Sequence, residues 1–247
     1  MKTIVVTGAS RGLGLAVTRR LATGGFRIVA LARTVSKEIS ELQGDASLAG
    51  RVEFVAADLG KTEEIYAVCK AIQTQYGPIY GLVNNAAIGL DGLLLTQHER
   101  DIDTMLKVNL TAVILLCKYL SRSMLIARSG RIVNVSSIVA TTGFSGLAVY
   151  GATKAAVIGF SRSFAREVAK AGITVNCVCP GYMETEMTAG LDAGKLDSIR
   201  RRSPFGRFVD PNDVAASVDF LLSDDAAMKI VQLLFCKKAE GGHRRLV

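Results

Sequence analysis

The 247-residue chain has no tryptophan, two histidines, four prolines and an odd number of cysteines, five. So little histidine, with no clustered Cys/His spacing, argues against zinc, and no metal site is expected. With no tryptophan and no finger, basic zipper or aromatic-rich strand motif, the net charge of +8 is not read as nucleic-acid binding. No apolar run of letters reaches the length of a membrane span, so no membrane contact is expected. Met1-Lys2-Thr3-Ile4-Val5-Val6-Thr7 enters a strand-like run at once, with no signal peptide in view, and a cytoplasmic location is expected. Cys69, Cys117, Cys177, Cys179 and Cys236 sit mostly in apolar stretches and read as reduced core thiols rather than a disulfide framework. Cys177-Val178-Cys179 is read as a strand whose two thiols point to opposite faces.

Apolar residues make up 49% of the chain, ample for a core. Strand-like runs fall at Thr3–Thr7, Arg27–Ala32, Val52–Ala56, Gly81–Asn84, Arg131–Ser136, Thr174–Cys179 and Ile230–Cys236. Helical apolar spacing falls between them at Leu13–Ala22, Glu63–Gln75, Ile102–Ile126 and Val149–Ala169. Alternation of this kind predicts an α/β fold, a parallel sheet covered by helices on both faces. The strands are near-continuous apolar runs, as doubly covered strands require. With no linker, repeat or low-complexity segment, residues 1–247 are read as one domain. The polar and basic stretch Gly190–Ser203 breaks the rhythm and is expected to be a mobile excursion.

The positive charge is concentrated at the start. Lys2, Arg11, Arg19, Arg20, Arg27, Arg33 and Lys37 all precede the first acid, Glu38, which suits a phosphate-bearing ligand. The first strand ends in Thr7-Gly8-Ala9-Ser10-Arg11-Gly12-Leu13-Gly14 and a helix follows. Glycines at that junction let a pyrophosphate approach the backbone and rest on the helix N-terminus. The spacing G-x-x-x-G-x-G departs from the common dinucleotide fingerprint. Gly8-Ala9-Ser10-Arg11-Gly12 also matches the G-x-S-x-G nucleophile elbow, with His243 as a candidate partner. An elbow normally follows several strands, however, and His243 lies in a Gly- and Arg-rich tail. Ser10 is therefore read as a turn or cap residue near a cofactor. Sites preferring NAD carry an acid after the second strand. Here Ala32-Arg33-Thr34 has none, and a guanidinium at Arg33, with Arg11 as a second candidate, matches a 2′-phosphate. NADP(H) is thus expected over NAD(H), the alternative being a solvated Arg33 and an indifferent site.

Tyr150 and Lys154 are four apart in a helical run and share a face. A free tyrosine has a pKa of about 10, too high for efficient proton exchange at pH 7. An ammonium beside it favours the phenolate and is expected to lower that pKa. Val135-Ser136-Ser137, upstream at the end of an apolar run, offers a hydroxyl to hold a carbonyl oxygen while Tyr150 supplies the proton. The plain alternative is a surface tyrosine with an ordinary helical neighbour.

Taken in order, Thr7-Gly8-x3-Gly12-x-Gly14, Asn84-Asn85-Ala86, Asn109, Ser137, Tyr150-x3-Lys154 and Pro180-Gly181 resemble the short-chain dehydrogenase/reductase family over about residues 3 to 224. That resemblance implies a Rossmann fold, a doubly wound parallel sheet of about seven strands in the order 3-2-1-4-5-6-7, and a homotetramer or homodimer. Gly159-Phe160-Ser161, Glu184-Thr185-Glu186-Met187-Thr188 and Pro204-Phe205-Gly206-Arg207-Phe208 are most similar to the 3-oxoacyl-[acyl-carrier-protein] reductases. By resemblance Tyr150 is the acid/base, and Lys154 lowers its pKa and binds the nicotinamide ribose. Ser137, rather than Ser136, orients the carbonyl, since its spacing to Tyr150 fits. Asn109 holds a proton-relaying water. Asp58 contacts adenine, or else caps a helix, with Leu59 beside it. Thr185 meets the carboxamide, or else caps a helix. Thr7, Gly8, Ser10, Arg11, Gly12, Leu13, Gly14, Arg33, Asn84, Ala86, Pro180 and Gly181 complete the expected cofactor contacts.

Residues 187–207 are expected to form a mobile substrate lid. The family's usual ending, I-T-G, a strand and V-D-G-G, is reduced over residues 228–247 to an apolar run and two glycines. Arg128, Lys170 and Arg200-Arg201-Arg202 are candidates for a basic rim that docks an acidic acyl carrier protein. The expected activity is NADPH-dependent reduction of a carbonyl, the 3-keto group of a carrier-bound acyl thioester. The alternatives are a free ketone, sugar or 3-hydroxyacyl-CoA as small-molecule substrate, or a non-catalytic dinucleotide-binding regulator or scaffold.

Overall fold

Residues 1–183, 193–203, 205–228 and 233–236 are described by a computed structural model of the chain. Seven strands are present: β1 Thr3–Thr7, β2 Arg27–Ala32, β3 Val52–Ala56, β4 Ile79–Asn84, β5 Gly130–Val135, β6 Ile173–Pro180 and β7 Leu233–Cys236. They form one sheet in the order β3-β2-β1-β4-β5-β6-β7, with every neighbouring pair parallel. The switch in winding direction lies between β1 and β4, where open α/β sheets bind ligands beyond the strand carboxyl ends.

Strand alternation sends side chains to two cores. Val5, Leu31, Leu82, Ile132 and Val175 meet α3 (Ile65–Tyr76), α5 (Ala112–Ala127) and α7 (Ala148–Val168) on one face. Ile4, Val6, Ala30, Val83, Val133 and Val178 meet α1 (Gly12–Thr23), α2 (Lys37–Gly44) and α9 (Pro211–Leu222) on the other. Cys177 and Cys179 both belong to the first core and Val178 to the second. The expectation of thiols on opposite faces is thereby corrected, because residues i and i+2 of a strand share a face. Cys69, Cys117, Cys177 and Cys179 are buried thiols outside any disulfide, as core thiols should be.

Neither α2 nor α9 was singled out by apolar spacing, yet both carry start signals. Ser36 Oγ accepts the Ile39 N–H at the head of α2, and Asp210 caps α9 with Pro211 in its first turn. Within the expected excursion, residues 193–202 form a further helix, α8 (Ala193–Arg202). α4 (Glu99–Leu106), a π turn (Lys107–Thr111) and α5 run on as one helical stretch of 29 residues. Its best 18-residue window has mean hydropathy 1.6, so the stretch is long and apolar enough to cross a membrane, contrary to a reading of contiguous apolar letters. Val113, Leu116, Cys117, Leu120 and Met124 of this stretch are packed in the first core, and a core helix meets the same criterion.

Candidate active site

The turn after β1 is shaped by close approach. Gly8 has φ +63°, a conformation that favours glycine, and its N–H donates to Leu31 O at 2.8 Å. A Cβ on Gly14 would lie 2.1 Å from Gly8 O, so only glycine lets α1 begin this close to the turn. Helix α1 starts with Arg11 at the N-cap, with no side-chain cap and no acid in its first turn. Its leading N–H groups therefore point outward, and the helix end fits an anionic diphosphate. Ser10 and Leu13 lie within this turn, Ser10 half-buried and Leu13 in the second core.

Thr7 and Asn85 lock the turn to the end of β4. Thr7 Oγ1 accepts the N–H groups of Asn85 and Ala86, both at 3.0 Å. Asn85 Nδ2 donates to Thr7 O at 2.9 Å and Gly8 O at 3.2 Å. The side chain of Asn84, expected beside a cofactor, instead points into the core. It donates to Asn134 Oδ1 at 2.8 Å and to Cys117 Sγ at 3.3 Å. Adjacent strand residues face opposite ways, so the position that touches the glycine turn is Asn85, one residue on. Arg33 is exposed in the turn after β2, two residues beyond the Leu31 carbonyl that holds Gly8. Asp58 is exposed and accepts the Gly60 N–H at 2.9 Å. This is a local turn rather than a helix cap, since the cap of the following 3-10 turn is Lys61. Leu59 is buried in the first core.

A second cluster gathers at the carboxyl end of β5. Lys154 is 3% exposed, and its Nζ donates to Val135 O at 2.8 Å. Burial pulls its pKa down to about 8, with the Cys177 and Cys179 thiols opposing the shift. Tyr150 lies one turn earlier on α7, with Lys154 Nζ 5.7 Å from its ring centroid. Burial pushes the Tyr150 phenol up, and a hydrogen bond with Ser137 offsets part of that. The expectation that Lys154 lowers the Tyr150 pKa is not met, because desolvation of the phenolate dominates. Ser137 Oγ also accepts the Val139 N–H at 3.2 Å. Ser136 turns away from it and donates to Lys154 O at 2.8 Å.

Asn109 is fully buried in the π turn. Its Oδ1 accepts the Ile88 N–H and its Nδ2 donates to Ile88 O, both at 2.8 Å. Its Nδ2 also donates to Thr153 Oγ1 at 3.3 Å. Since the side chain is occupied in this way, a water-holding role would fall to its backbone. Ile138 N–H donates to Pro180 O at 3.1 Å, which ties the Ser137 turn to Pro180-Gly181 after β6. Thr185 lies outside the described residues.

The expected basic rim divides. Arg128 ends α5 before β5, and its Nη2 donates to the carbonyl of Lys170, which precedes β6, at 2.9 Å. Both sit at the amino ends of the strands, while Ser137 and Tyr150 sit at the carboxyl ends. A six-residue strand separates these ends by about 20 Å, so within this chain Arg128 and Lys170 do not border the site. The order of letters put Arg128 near β5 but did not say which end of the sheet it joins. On α8, Arg200 lies over the Phe208 ring at 5.1 Å, and Phe208 packs on Tyr182 at 4.8 Å. Arg201 pairs with Asp197 at 3.0 Å. Sequence reasoning passed over Asn85, Ser136 and Thr153. Asn85 and Ser136 adjoin residues that it did choose, and Thr153 lies within the Tyr150–Lys154 segment.

Residues 2–196 match the pattern of the short chain dehydrogenase family. The 3-oxoacyl-[acyl-carrier-protein] reductase of Vibrio cholerae is 42% identical over 226 residues, covering 92% of this chain and 91% of its own length. Carbonyl reductase family member 4 of Xenopus tropicalis is 41% identical over 221 residues, covering 90% and 91%. A point variant of the actinorhodin polyketide ketoreductase, solved with NADPH, superposes with a TM-score of 0.88 at 32% identity, covering 96% of this chain and 95% of its own. The chain belongs to the short chain dehydrogenase family and is an NAD(P)-dependent oxidoreductase.

Proposed function

We propose that the chain reduces the 3-keto group of an acyl thioester carried by acyl carrier protein, with NADPH as reductant. The observation that carries the chemistry is the convergence of Ser137, Tyr150 and Lys154 at the carboxyl end of β5. The thioester is supported by similarity to the Vibrio cholerae reductase over nearly the full length of both chains. NADPH is supported by Arg33 beside the glycine turn and by the lack of an acid after β2.

When bound, the reduced nicotinamide supplies the hydride that the carbonyl carbon accepts. Thr7, Gly8, Ser10, Arg11, Gly12, Leu13 and Gly14 would cradle its diphosphate, and Arg33 would meet the 2′-phosphate. Asp58, Leu59, Asn85, Ala86, Pro180 and Gly181 would line the rest. Ser137 holds the carbonyl oxygen by a hydrogen bond. Tyr150, kept protonated at neutral pH by its raised pKa, gives that oxygen its proton. Below pH 8 the Lys154 ammonium stabilises the phenolate left behind, which solvent then reprotonates.

A second reading, a small free ketone, is favoured by the placement of Arg128 and Lys170 away from the site. The deciding measurement is kcat/KM for an acyl-carrier-protein thioester and for a short thioester mimic, with NADPH and with NADH, as salt rises. The proposal expects the carrier substrate to be better and its advantage to fade with salt. No advantage at any salt would leave the free ketone as the substrate class.

A further inference from the structure

We infer that Ser136 is a positioning residue for the Tyr150/Lys154 pair, acting by clamping Lys154 to the end of β5. The inference rests on the chemistry proposed above. Lys154 is held at both ends by consecutive residues of one strand end. Its Nζ donates to Val135 O at 2.8 Å, and its own carbonyl accepts the Ser136 hydroxyl at 2.8 Å. Ser136 is 3% exposed and Lys154 is 3% exposed, so water cannot easily replace either bond. The Ser136 N–H is itself fixed on Val178 O at 2.8 Å, so the clamp is anchored to the centre of the sheet. A helix carbonyl has two lone pairs and can accept a side-chain donor besides its helical partner.

The clamp sets the height and rotation of α7 against β5. Tyr150 is on the same helix one turn before Lys154, and Ser137 is the next residue after Ser136 on the strand side. The two proposed reacting side chains are thus tied together by a hydrogen bond that neither of them makes. From the other side, Thr153 Oγ1 donates to Tyr150 O at 2.7 Å and accepts from Asn109 Nδ2. The Ser136 bond joins the helix to the end of β5 beside Ser137, together with the bonds of Lys154 Nζ to Val135 O and of Asn134 Nδ2 to Ser161 Oγ. The ionisable groups around Lys154 are Tyr150 on its own helix and the Cys177 and Cys179 thiols on β6.

The test compares Ser136→Ala, Ser136→Thr and Ser136→Cys with wild type and with Tyr150→Phe, all as full chains. Readouts are kcat and KM for a 3-oxoacyl thioester, the pH profile of kcat, and NADPH affinity by fluorescence. Loss of one ordinary hydrogen bond from the aligned state should lower kcat about three- to ten-fold in Ser136→Ala. KM and NADPH affinity should stay unchanged, and the alkaline limb of the kcat profile should move. Ser136→Thr keeps the hydroxyl and should recover most of the rate, with Ser136→Cys, a weak donor, in between. If Ser136→Ala does not fold, Ser136→Cys is judged by the same criterion. Wild-type kcat and an unmoved pH limb in the folded variant, with Tyr150→Phe inactive, would overturn the clamp and leave the proposed chemistry standing. An active Tyr150→Phe would overturn both.

Discussion

At the residue scale, burial dominates the proposed reacting groups. Tyr150 is held above its ordinary pKa and Lys154 below its own, both by desolvation. Tyr150→Phe keeps the ring and removes only the proton, so kcat should fall by on the order of 10²–10⁴ while NADPH binding survives; most of the wild-type kcat remaining would refute the assignment. For Lys154 the folded pKa, about 8, lies below the free value of 10.5. The unfolded chain then binds more protons between those values, so stability should rise with pH across that window. Below it the buried ammonium costs roughly 3 kcal/mol by that shift. Lys154→Met removes the cost but also the bond to Val135 O, so at pH 7 its Tm should rise by about 2–5 °C while activity is lost; calorimetry beside an activity assay checks both. Arg33→Asp should move the NADPH/NADH ratio of kcat/KM toward NADH by on the order of 10–100-fold, and equal efficiency of the wild type with both cofactors would defeat the argument.

Elements place these residues through backbone contacts that tolerate little change. The start of α1 lies against the turn after β1 because Gly14 has no side chain. Gly14→Ala sets a methyl 2.1 Å from Gly8 O, so the helix must move off the turn. A stability loss of about 1–3 kcal/mol in urea denaturation is expected, together with much weaker NADPH binding. Unchanged binding would show that the outward N–H groups of α1 do not hold the diphosphate. The π turn at Lys107–Thr111 has a similar role: it interrupts the regular α-helical ladder where Asn109 grips Ile88.

At the scale of the whole molecule both faces of the sheet carry packed helices, but among the described residues the sheet ends at β3 and at β7. A terminal strand presents backbone groups to solvent or to a partner. On α5, Ile114, Leu125 and Ile126 are exposed, Ile126 to 87%. Exposed apolar side chains of this kind favour self-association. Light scattering at micromolar concentration should give two or four times the 26.3 kDa of one chain, and a monodisperse monomer would count against assembly.

Several features that depend on spacing along the chain were legible in the letters alone. Strands β1, β2 and β3 begin and end where their apolar runs do, the glycine turn sits between β1 and α1, and Tyr150 and Lys154 share a helix face. These follow from local periodicity and backbone sterics, which act within a few residues. Only the packed structure decided that Asn85 rather than Asn84 meets the glycine turn, that Ser136 reaches the Lys154 carbonyl, and that Arg128 and Lys170 lie at the far end of the sheet. Each of these depends on which way a side chain points across strands far apart in sequence. The same holds for the pKa values of Tyr150 and Lys154, because the surrounding core, and not the i,i+4 spacing, removes the water that would solvate their charges.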